Sequence, residues 1–306
     1  MATLSTDKDH GLDLAKVLSA FPILLWARRE ALFMLAWCTT IAVLVTGRGF
    51  PNPSLSVLVV LSTFFVGASV YVYNDVVDVE MDRVSEYHKY RPIASGRVTK
   101  AYAWPTIIAS GVTGLLISLA INPQTFLVTS AWLILFTIYT HPSIRLKKRF
   151  IVKEMVVSSA WPFCSLIGSL AVTGGISIQA IFSGLLFGIF IFLVQPALVD
   201  TLDIYQDSLF GIRSLGRILS WRRKVQMFVL GVLVLMTVTP LTYARMGFNV
   251  ILPISVVAFS LVLLRWGIYP LTSGFELSSV MRTRKMMYVY FVGLQVILIV
   301  SSIIIL

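Results

Sequence analysis

Residues 54–83 read SLSVLVVLSTFFVGASVYVYNDVVDVEMDR. Residues 54–74 carry no charged side chain, and three aspartates, Asp75, Asp78 and Asp82, follow directly. An uncharged segment of about 20 residues is long enough to cross a hydrocarbon layer roughly 30 Å thick as a helix. The stretch therefore predicts a membrane-spanning helix that ends in a group of carboxylates.

The rest of the chain repeats this apolar pattern. Of its 306 residues, 57% are hydrophobic and only 13% are charged, whereas about a quarter of the residues of a soluble domain are charged. Long uncharged runs favour helices over a barrel, whose strands would show short alternating segments. The sequence predicts an all-α integral membrane bundle of nine transmembrane helices in a single domain, residues 1–306. The predicted spans are residues 31–47, 54–74, 102–121, 124–141, 155–173, 177–199, 225–243, 248–269 and 287–306.

The charges predict the orientation of these spans. Long and short connections alternate, and 23 of the 25 Lys and Arg residues and all 14 acidic residues fall on the long-loop side. Positively charged loops favour the cytoplasmic side, so residues 1–30 are expected to be a cytoplasmic segment. We expect a protein of the cell membrane whose site opens to the cytoplasm. The net charge of +11 is then explained by the basic residues of the cytoplasmic loops, which set the orientation and attract anionic lipid headgroups. No nucleic-acid partner is predicted.

Cysteine and histidine usage excludes other kinds of site. The two cysteines, Cys38 and Cys164, lie inside apolar segments, and the three histidines are scattered. Neither a disulfide scaffold nor a Cys/His metal site is indicated. The first apolar stretch is too long and too late for a cleavable signal peptide.

The aspartates of residues 74–82, the first acidic motif, predict a metal site. Their offsets of 0, 3 and 7 place them on one face of a helix, where like charges need a cation. Hard oxygen ligands suit Mg²⁺. A second acidic motif, residues 200–207, has the same spacing at the end of the sixth predicted span. The predicted metal ligands are Asn74, Asp75, Asp78, Asp82, Asp200, Asp203 and Asp207, and the six aspartates are also the predicted catalytic residues.

Two such motifs facing each other would hold two Mg²⁺ ions between them. Because Mg²⁺ commonly bridges carboxylates to substrate phosphates, the expected substrate carries a diphosphate. The alternative is that both motifs are solvated helix ends on the cytoplasmic side. Matched spacing at two membrane boundaries favours the metal site.

The two acidic motifs are also similar in spacing and position to those of a known protein family. NDxxDxxxD at residues 74–82 and DxxDxxxD at residues 200–207, in a nine-helix membrane protein, resemble the UbiA superfamily of intramembrane prenyltransferases. Three loops are similar to those of the superfamily: RPIASG at residues 91–96, YTHPSIRLKK at residues 139–148 and GIRSL at residues 211–215. The resemblance implies that the motifs bind a polyprenyl diphosphate through Mg²⁺, with the prenyl tail in the membrane among lipids. The residues that it implies for diphosphate binding are Asn74, Arg91, Tyr139, Arg145, Lys147 and Arg213.

The predicted function is Mg²⁺-dependent transfer of a prenyl group to a lipophilic acceptor, either an aromatic quinone precursor or an ether-lipid glycerol phosphate. A membrane terpene cyclase that acts on a prenyl diphosphate is the first alternative. A transporter is the second, but intramembrane charges mark transport pathways, and the span centres are almost free of charge. The sequence departs from the superfamily pattern at Val199 and Gln206, which leaves the acceptor open, and it identifies no general base.

Overall fold

The computed structural model describes residues 13–303, and this part of the chain is helical without a strand. Short 3₁₀ segments cover Leu146–Lys148 and Tyr269–Ser273, and a π-helical segment covers Leu263–Ile268. The α-helices are α1 Leu14–Ala27, α2 Arg29–Thr46, α3 Pro53–Val77, α4 Val79–Arg83, α5 Lys100–Ile121, α6 Pro123–Thr140, α7 Val152–Thr173, α8 Ile178–Leu198, α9 Ile204–Leu209, α10 Leu215–Ile218, α11 Trp221–Thr242, α12 Ile251–Val262 and α13 Leu277–Ile303.

Each of the nine predicted spans coincides with a helix, and eight helical stretches in the described residues are long and apolar enough to cross a membrane. One of the eight runs from α12 through the π and 3₁₀ turns to Ser273. The remaining predicted span, α6, has 18 residues and is not among the eight. It begins with Pro123 and Gln124 and contains four threonines, which lower its hydropathy. An integral membrane bundle is confirmed, and the ninth span stays a prediction, as does the orientation of the N-terminus.

Helix α1 was not predicted, because residues 14–27 are too short for a span and contain Pro22. The Asp13 side chain caps it by accepting a hydrogen bond of 3.0 Å from the Ala15 amide. Ala20 and Leu24 are buried in a cluster with side chains of α3 and α5. This packing holds the end of α1 beside α3, with Arg28 as the single residue between α1 and α2.

Close contacts among α2, α3, α7 and α8 decide where the two acidic motifs lie. Helix α2 packs against α3 and α7, and α7 packs against α8. At Gly168 of α7, a Cβ would lie 2.8 Å from the Cβ of Ala42 in α2, so the absent side chain lets these helices approach. Helices α3 and α8 flank this pair, and the ends that carry the acidic motifs lie on the same side of the bundle, because residues of both motifs line one cavity.

The other half of the bundle is an aromatic-rich core formed by α8, α11, α12 and α13. Phe190, Phe228 and Phe291 are at most 1% exposed there. The outward faces of the long helices are apolar as well: Leu116 is 60% exposed and Leu241 is 73% exposed. Apolar side chains on both faces are expected for helices that contact lipid.

Candidate active site

The first acidic motif lies where α3 gives way to α4. Asp75, Asp78 and Asp82 are at most 5% exposed. The Asp78 amide donates to the Asn74 carbonyl at 2.9 Å, and the Asp82 amide donates to the Asp78 carbonyl at 2.8 Å. The helical turns therefore continue almost unbroken through Asp78, and the three carboxylates stay on one side as the spacing predicted.

Two arginines contact the outer carboxylates of this motif. Arg91 donates to both Asp82 carboxylate oxygens at 2.8 Å and to Asp75 Oδ1 at 3.3 Å. Arg28 forms an ion pair with Asp75 through Nη2, and its Nε donates to Asp75 Oδ2 at 3.0 Å. The loop resemblance predicted a role for Arg91, whereas no pattern in the sequence assigned a role to Arg28.

The central carboxylate, Asp78, is held from the connection between α6 and α7. Arg145 Nη2 donates to Asp78 Oδ1 at 3.2 Å, and Lys147 Nζ forms an ion pair with Asp78 Oδ2. Asn74 Nδ2 donates to the same Oδ2 at 2.8 Å. Arg145 has a φ of 45°, which is uncommon outside glycine. Such strain is often kept where a side chain has a functional position, and here it accompanies the turn that brings Arg145 and Lys147 to Asp78.

The second acidic motif follows the end of α8 but is less regular than predicted. Asp200 lies in a turn, Asp203 immediately precedes α9, and Asp207 lies within α9. The helix ends because the Gln195 carbonyl accepts from both the Val199 amide at 2.9 Å and the Asp200 amide at 3.1 Å. The 0, 3, 7 spacing therefore does not correspond to one continuous helical face in this motif, although Lys153 still contacts both Asp200 and Asp207.

Lys153, in the first turn of α7, joins two carboxylates of the second motif. Its Nζ lies 2.8 Å from Asp207 Oδ2 and 3.1 Å from Asp200 Oδ1. Ser214 Oγ donates to Asp207 Oδ2 at 2.8 Å. Lys153 is 9% exposed. The sequence did not single out Lys153, because it is one of many basic residues near the ends of spans. Such residues are ordinarily explained by the preference of positive charge for the cytoplasmic side of the membrane.

Glu154 and Gly216 fix the backbone around this motif. Glu154 is fully buried, and its Oε1 accepts a hydrogen bond of 2.5 Å from the Leu215 amide. At Gly216 in α10, a Cβ would collide with the Asp200 Cβ and would lie 2.8 Å from the Asp200 carbonyl carbon. The 211–216 segment therefore packs directly on Asp200, which only a residue without a side chain allows.

The second motif contains buried oxygens that the described residues leave without a hydrogen-bond partner. They are Asp200 Oδ2, Asp207 Oδ1 and Gln206 Oε1. Buried polar atoms are normally satisfied, and oxygen donors suit Mg²⁺. Within residues 13–303 no three acidic, Cys or His side chains already converge as a metal site, and basic side chains contact the carboxylates instead. The residues nevertheless fit an oxygen-coordinated cation.

One cavity of about 220 Å³ brings the two motifs together. Tyr139, Thr140 and Phe136 of α6 form part of its wall, and Lys147 and Lys153 add two cations. The acidic and amide side chains that line it are Asn74, Asp78, Asp82, Asp203, Gln206 and Asp207. A cavity shared by both motifs and by cations from the 145–153 segment is suited to a small, highly charged group such as a diphosphate.

Burial raises the pKa of two carboxyls in this cavity, Asp82 and Asp203. Burial raises the pKa of Asp82 to about 6, although the adjacent Arg91 acts in the opposite direction. Burial likewise raises the pKa of Asp203 to about 6, opposed by Lys153. His88, whose Nε2 lies 3.9 Å from Asp203 Oδ1, has its pKa lowered to about 4 by burial and by Arg91. Near neutral pH the buried Asp82 and Asp203 carboxylates would therefore be stabilised by added positive charge, and His88 is neutral.

Arg213 lies in the segment that packs on the second motif, but its side chain neither lines the shared cavity nor contacts a carboxylate of either motif within the described residues. It is exposed and borders a separate surface pocket with Gly211 and Arg217. By contrast, Asn74, Tyr139 and Lys147 line the shared cavity, and Arg91 and Arg145 contact its carboxylates. The assignment of Arg213 to the diphosphate stays a prediction without a nearby partner.

Comparisons with known proteins agree with this architecture. The chain is 26% identical over 210 residues to 4-hydroxybenzoate octaprenyltransferase of Vibrio parahaemolyticus, covering 68% of this chain and 70% of that protein. It is 27% identical over 253 residues to digeranylgeranylglyceryl phosphate synthase of Sulfolobus acidocaldarius, covering 80% and 85%.

Solved structures share the fold. A structure from work on digeranylgeranylglyceryl phosphate synthase in membranes superposes with a TM-score of 0.73 at 19% identity, covering 94% of this chain and 99% of that one. The structure of a UbiA homologue from Archaeoglobus fulgidus bound to DMAPP and Mg²⁺ superposes with a TM-score of 0.68 at 16% identity. The match covers 89% of this chain and 96% of that one. The model of the UbiA prenyltransferase family matches residues 35–291, and this chain therefore belongs to that family.

Proposed function

We propose that this protein is an integral membrane prenyltransferase, which transfers the prenyl group of a polyprenyl diphosphate to a lipophilic acceptor in an Mg²⁺-dependent reaction. The observation that carries the proposal is the cavity of about 220 Å³ that both acidic motifs line together with basic side chains. The relatives support it, since they are named as an octaprenyltransferase and as digeranylgeranylglyceryl phosphate synthases. A homologue was solved with DMAPP and Mg²⁺ and also with GPP and Mg²⁺.

In this proposal, Asn74 and the six aspartates of the two motifs would hold two Mg²⁺ ions. When bound, Mg²⁺ supplies Lewis acidity that stabilises the negative charge developing on the diphosphate. The unsatisfied oxygens of Asp200, Gln206 and Asp207 support this assignment for the second motif. Of the cations that now contact the carboxylates, Arg91, Lys147 and Lys153 line the cavity, where they would contact a diphosphate, and Arg145 contacts Asp78 at its wall.

The bond changes follow from the chemistry of an allylic diphosphate. The allylic C–O bond breaks, and the diphosphate leaves with the electron pair. A nucleophilic carbon or hydroxyl oxygen of the acceptor supplies the pair for the new bond, and its proton passes to diphosphate or water. Basic side chains stabilise the leaving group. Aromatic faces such as those of Phe136 and Tyr139 line the cavity, where they stabilise positive charge on the allylic carbon.

The membrane arrangement is part of the proposal. We infer a single domain, residues 1–306, in the cell membrane, with nine spans and the N-terminal segment, residues 1–30, in the cytoplasm. The cavity would then open to the cytoplasm and admit the polar headgroup, while the prenyl tail stays among the apolar helices. The distribution of basic residues supports this orientation.

The test is turnover of labelled prenyl diphosphates by the full-length protein in nanodiscs, with Mg²⁺ or with EDTA. Asp78→Ala and Asp203→Ala are each expected to lower kcat by about 10²- to 10³-fold, as expected for losing one group that stabilises a transition-state charge. Glu80→Ala is the matched control, because the Glu80 side chain is 66% exposed on the same segment. Turnover that resists EDTA, or equal activity of all three variants, would overturn the proposal. A cyclic hydrocarbon formed without an acceptor would instead identify a terpene cyclase.

A further inference from the structure

A large groove adjoins the shared cavity. Its volume is about 1500 Å³, and it lies among the α1–α2 junction, the 87–97 loop and α13. Tyr71, His88 and Arg91 border both the groove and the smaller cavity. A ligand in the groove would therefore lie directly beside the site proposed for the diphosphate.

The groove is strongly basic. Glu30 is its only acidic side chain in the part of the chain that the structure describes. The arginines that line it are Arg28, Arg29, Arg91, Arg97 and Arg284. Arg28 and Arg91 are held by the first acidic motif, whereas the other three form no ion pair with any residue in 13–303. Three guanidinium groups without acidic partners around one groove favour an anionic ligand.

The three unpaired arginines are oriented by aromatic residues of the groove. Arg29 lies 4.9 Å from the centre of the Trp26 ring, and Arg284 lies 5.8 Å from that of Tyr288. Arg97 donates to the Tyr90 carbonyl at 2.7 Å. These contacts leave most guanidinium N–H groups available, since each guanidinium has five donors.

The walls below the arginines are apolar. On α13, Tyr288 and Val292 follow Arg284 at intervals of four residues, so all three lie on one helical face and line the groove. On α2, Phe33 follows Arg29 at the same interval. Each helix therefore presents a cation at one end of the groove and apolar side chains deeper along it, as expected for a ligand with an anionic head and an apolar tail.

We propose that this groove binds the acceptor, and that the acceptor is a lipid with a phosphate headgroup contacted by Arg284, Arg29 and Arg97. The inference rests on the proposed prenyl transfer and names the acceptor class for it. Arginine forks match phosphate oxygens in pairs. The groove also exceeds the 300–1,000 Å³ of ordinary small-molecule pockets, and a small aromatic acid would leave most of it empty.

The test compares Arg284→Ala with Arg282→Ala in the full-length protein in nanodiscs. Arg282 is exposed on the same helix and does not line the groove. The acceptors are a C20 glycerol phosphate monoether and the corresponding alcohol without phosphate. Arg284→Ala is expected to raise KM for the phosphate-bearing acceptor by about 10- to 100-fold, as for the loss of a charge-assisted hydrogen bond. KM for the prenyl diphosphate should stay unchanged, and Arg282→Ala should behave like the unsubstituted protein.

A binding measurement separates this proposal from the proposed reaction. The radiolabelled monoether phosphate is titrated onto the protein without prenyl diphosphate, so that its binding is measured even if no transfer occurs. Retained binding without turnover would refute the transfer reaction and uphold the groove as a phosphate-lipid site. Equal binding by the two variants, or equal use of phosphate and alcohol acceptors, would overturn the groove assignment. Loss of a preference for phosphatidylglycerol over phosphatidylcholine, with unchanged acceptor binding, would identify a bilayer lipid site and overturn it too.

Discussion

Removing the Lys153 ammonium should destabilise the metal-free protein and make its stability more dependent on Mg²⁺. In the Lys153→Met variant, Asp200 and Asp207 lose the cation that lies 3.1 and 2.8 Å from them. Breaking a buried ion pair by removing one partner costs about 3–5 kcal/mol, and both carboxylates are 1% exposed. We therefore expect the free energy of unfolding to fall by that amount without metal.

Mg²⁺ should reduce this loss. The ion would no longer compete with an ammonium group for the same two carboxylates, so its affinity for the variant should rise. Each tenfold gain in affinity restores about 1.4 kcal/mol at saturating metal. We therefore expect the difference in unfolding free energy between the variant and the unsubstituted protein to decrease as Mg²⁺ is added.

The assay is unfolding by SDS titration of the purified protein in mixed micelles, with EDTA or with Mg²⁺. Lys148→Met is the matched control, since Lys148 is exposed and forms no ion pair within the described residues. This expectation would be refuted if Lys153→Met were as stable as Lys148→Met, or if Mg²⁺ left the difference in unfolding free energy between Lys153→Met and the unsubstituted protein unchanged. In either case the Lys153 ammonium would not stand where Mg²⁺ binds at the second motif.

Two further changes probe the same site. Gly216→Ala should abolish most activity, because the new methyl group would overlap Asp200. Gly175→Ala should have little effect, since its Cβ would meet only one atom at 4.0 Å, and equal losses in the two variants would contradict the argument. Mg²⁺ binding, measured by titration calorimetry, should strengthen from pH 5 to pH 7 and level off above, because Asp82 and Asp203 lose protons near pH 6. Without metal, these raised pKa values mean that the folded state binds more protons than the unfolded state, so stability should decrease as pH rises from about 4 to 6. A pH-independent affinity for Mg²⁺ would show that neither carboxyl binds the ion.

Much of the fold was predictable because hydrophobic length is a strong local signal. Each predicted apolar segment coincides with a helix. Helix α1 was missed because its stability comes from burial of Ala20 and Leu24 against other helices, which no local pattern reveals. The end of α8 at Leu198 agrees with the predicted end of the sixth span at residue 199, but the turn that follows depends on which amides the Gln195 carbonyl accepts.

The acidic half of the site was predictable and the basic half only in part. Matched spacing singled out the two acidic motifs, and the loop resemblance led to Arg91, Arg145 and Lys147. Nothing local distinguishes Lys153 from other basic residues at span ends, because its role depends on the rotation of α7 against α8. Arg213 shows the opposite case: a loop pattern implies a role in diphosphate binding, but its side chain is exposed and does not line the shared cavity in the described part of the chain, so the role stays a prediction.

The contacts of the acidic motifs make the site nearly electroneutral before any ligand arrives. Five of the six aspartates form ion pairs, and their partners are five basic side chains from four separate segments: Arg28, Arg91, Arg145, Lys147 and Lys153. Moving a net charge from water into a low-dielectric protein interior costs free energy. A ligand whose charges nearly cancel avoids most of that cost. A magnesium diphosphate complex, in which cation and anion nearly cancel, could thus enter and leave this cavity with little change in its total charge. The basic side chains would then exchange carboxylate oxygens for phosphate oxygens on entry and reverse the exchange on release.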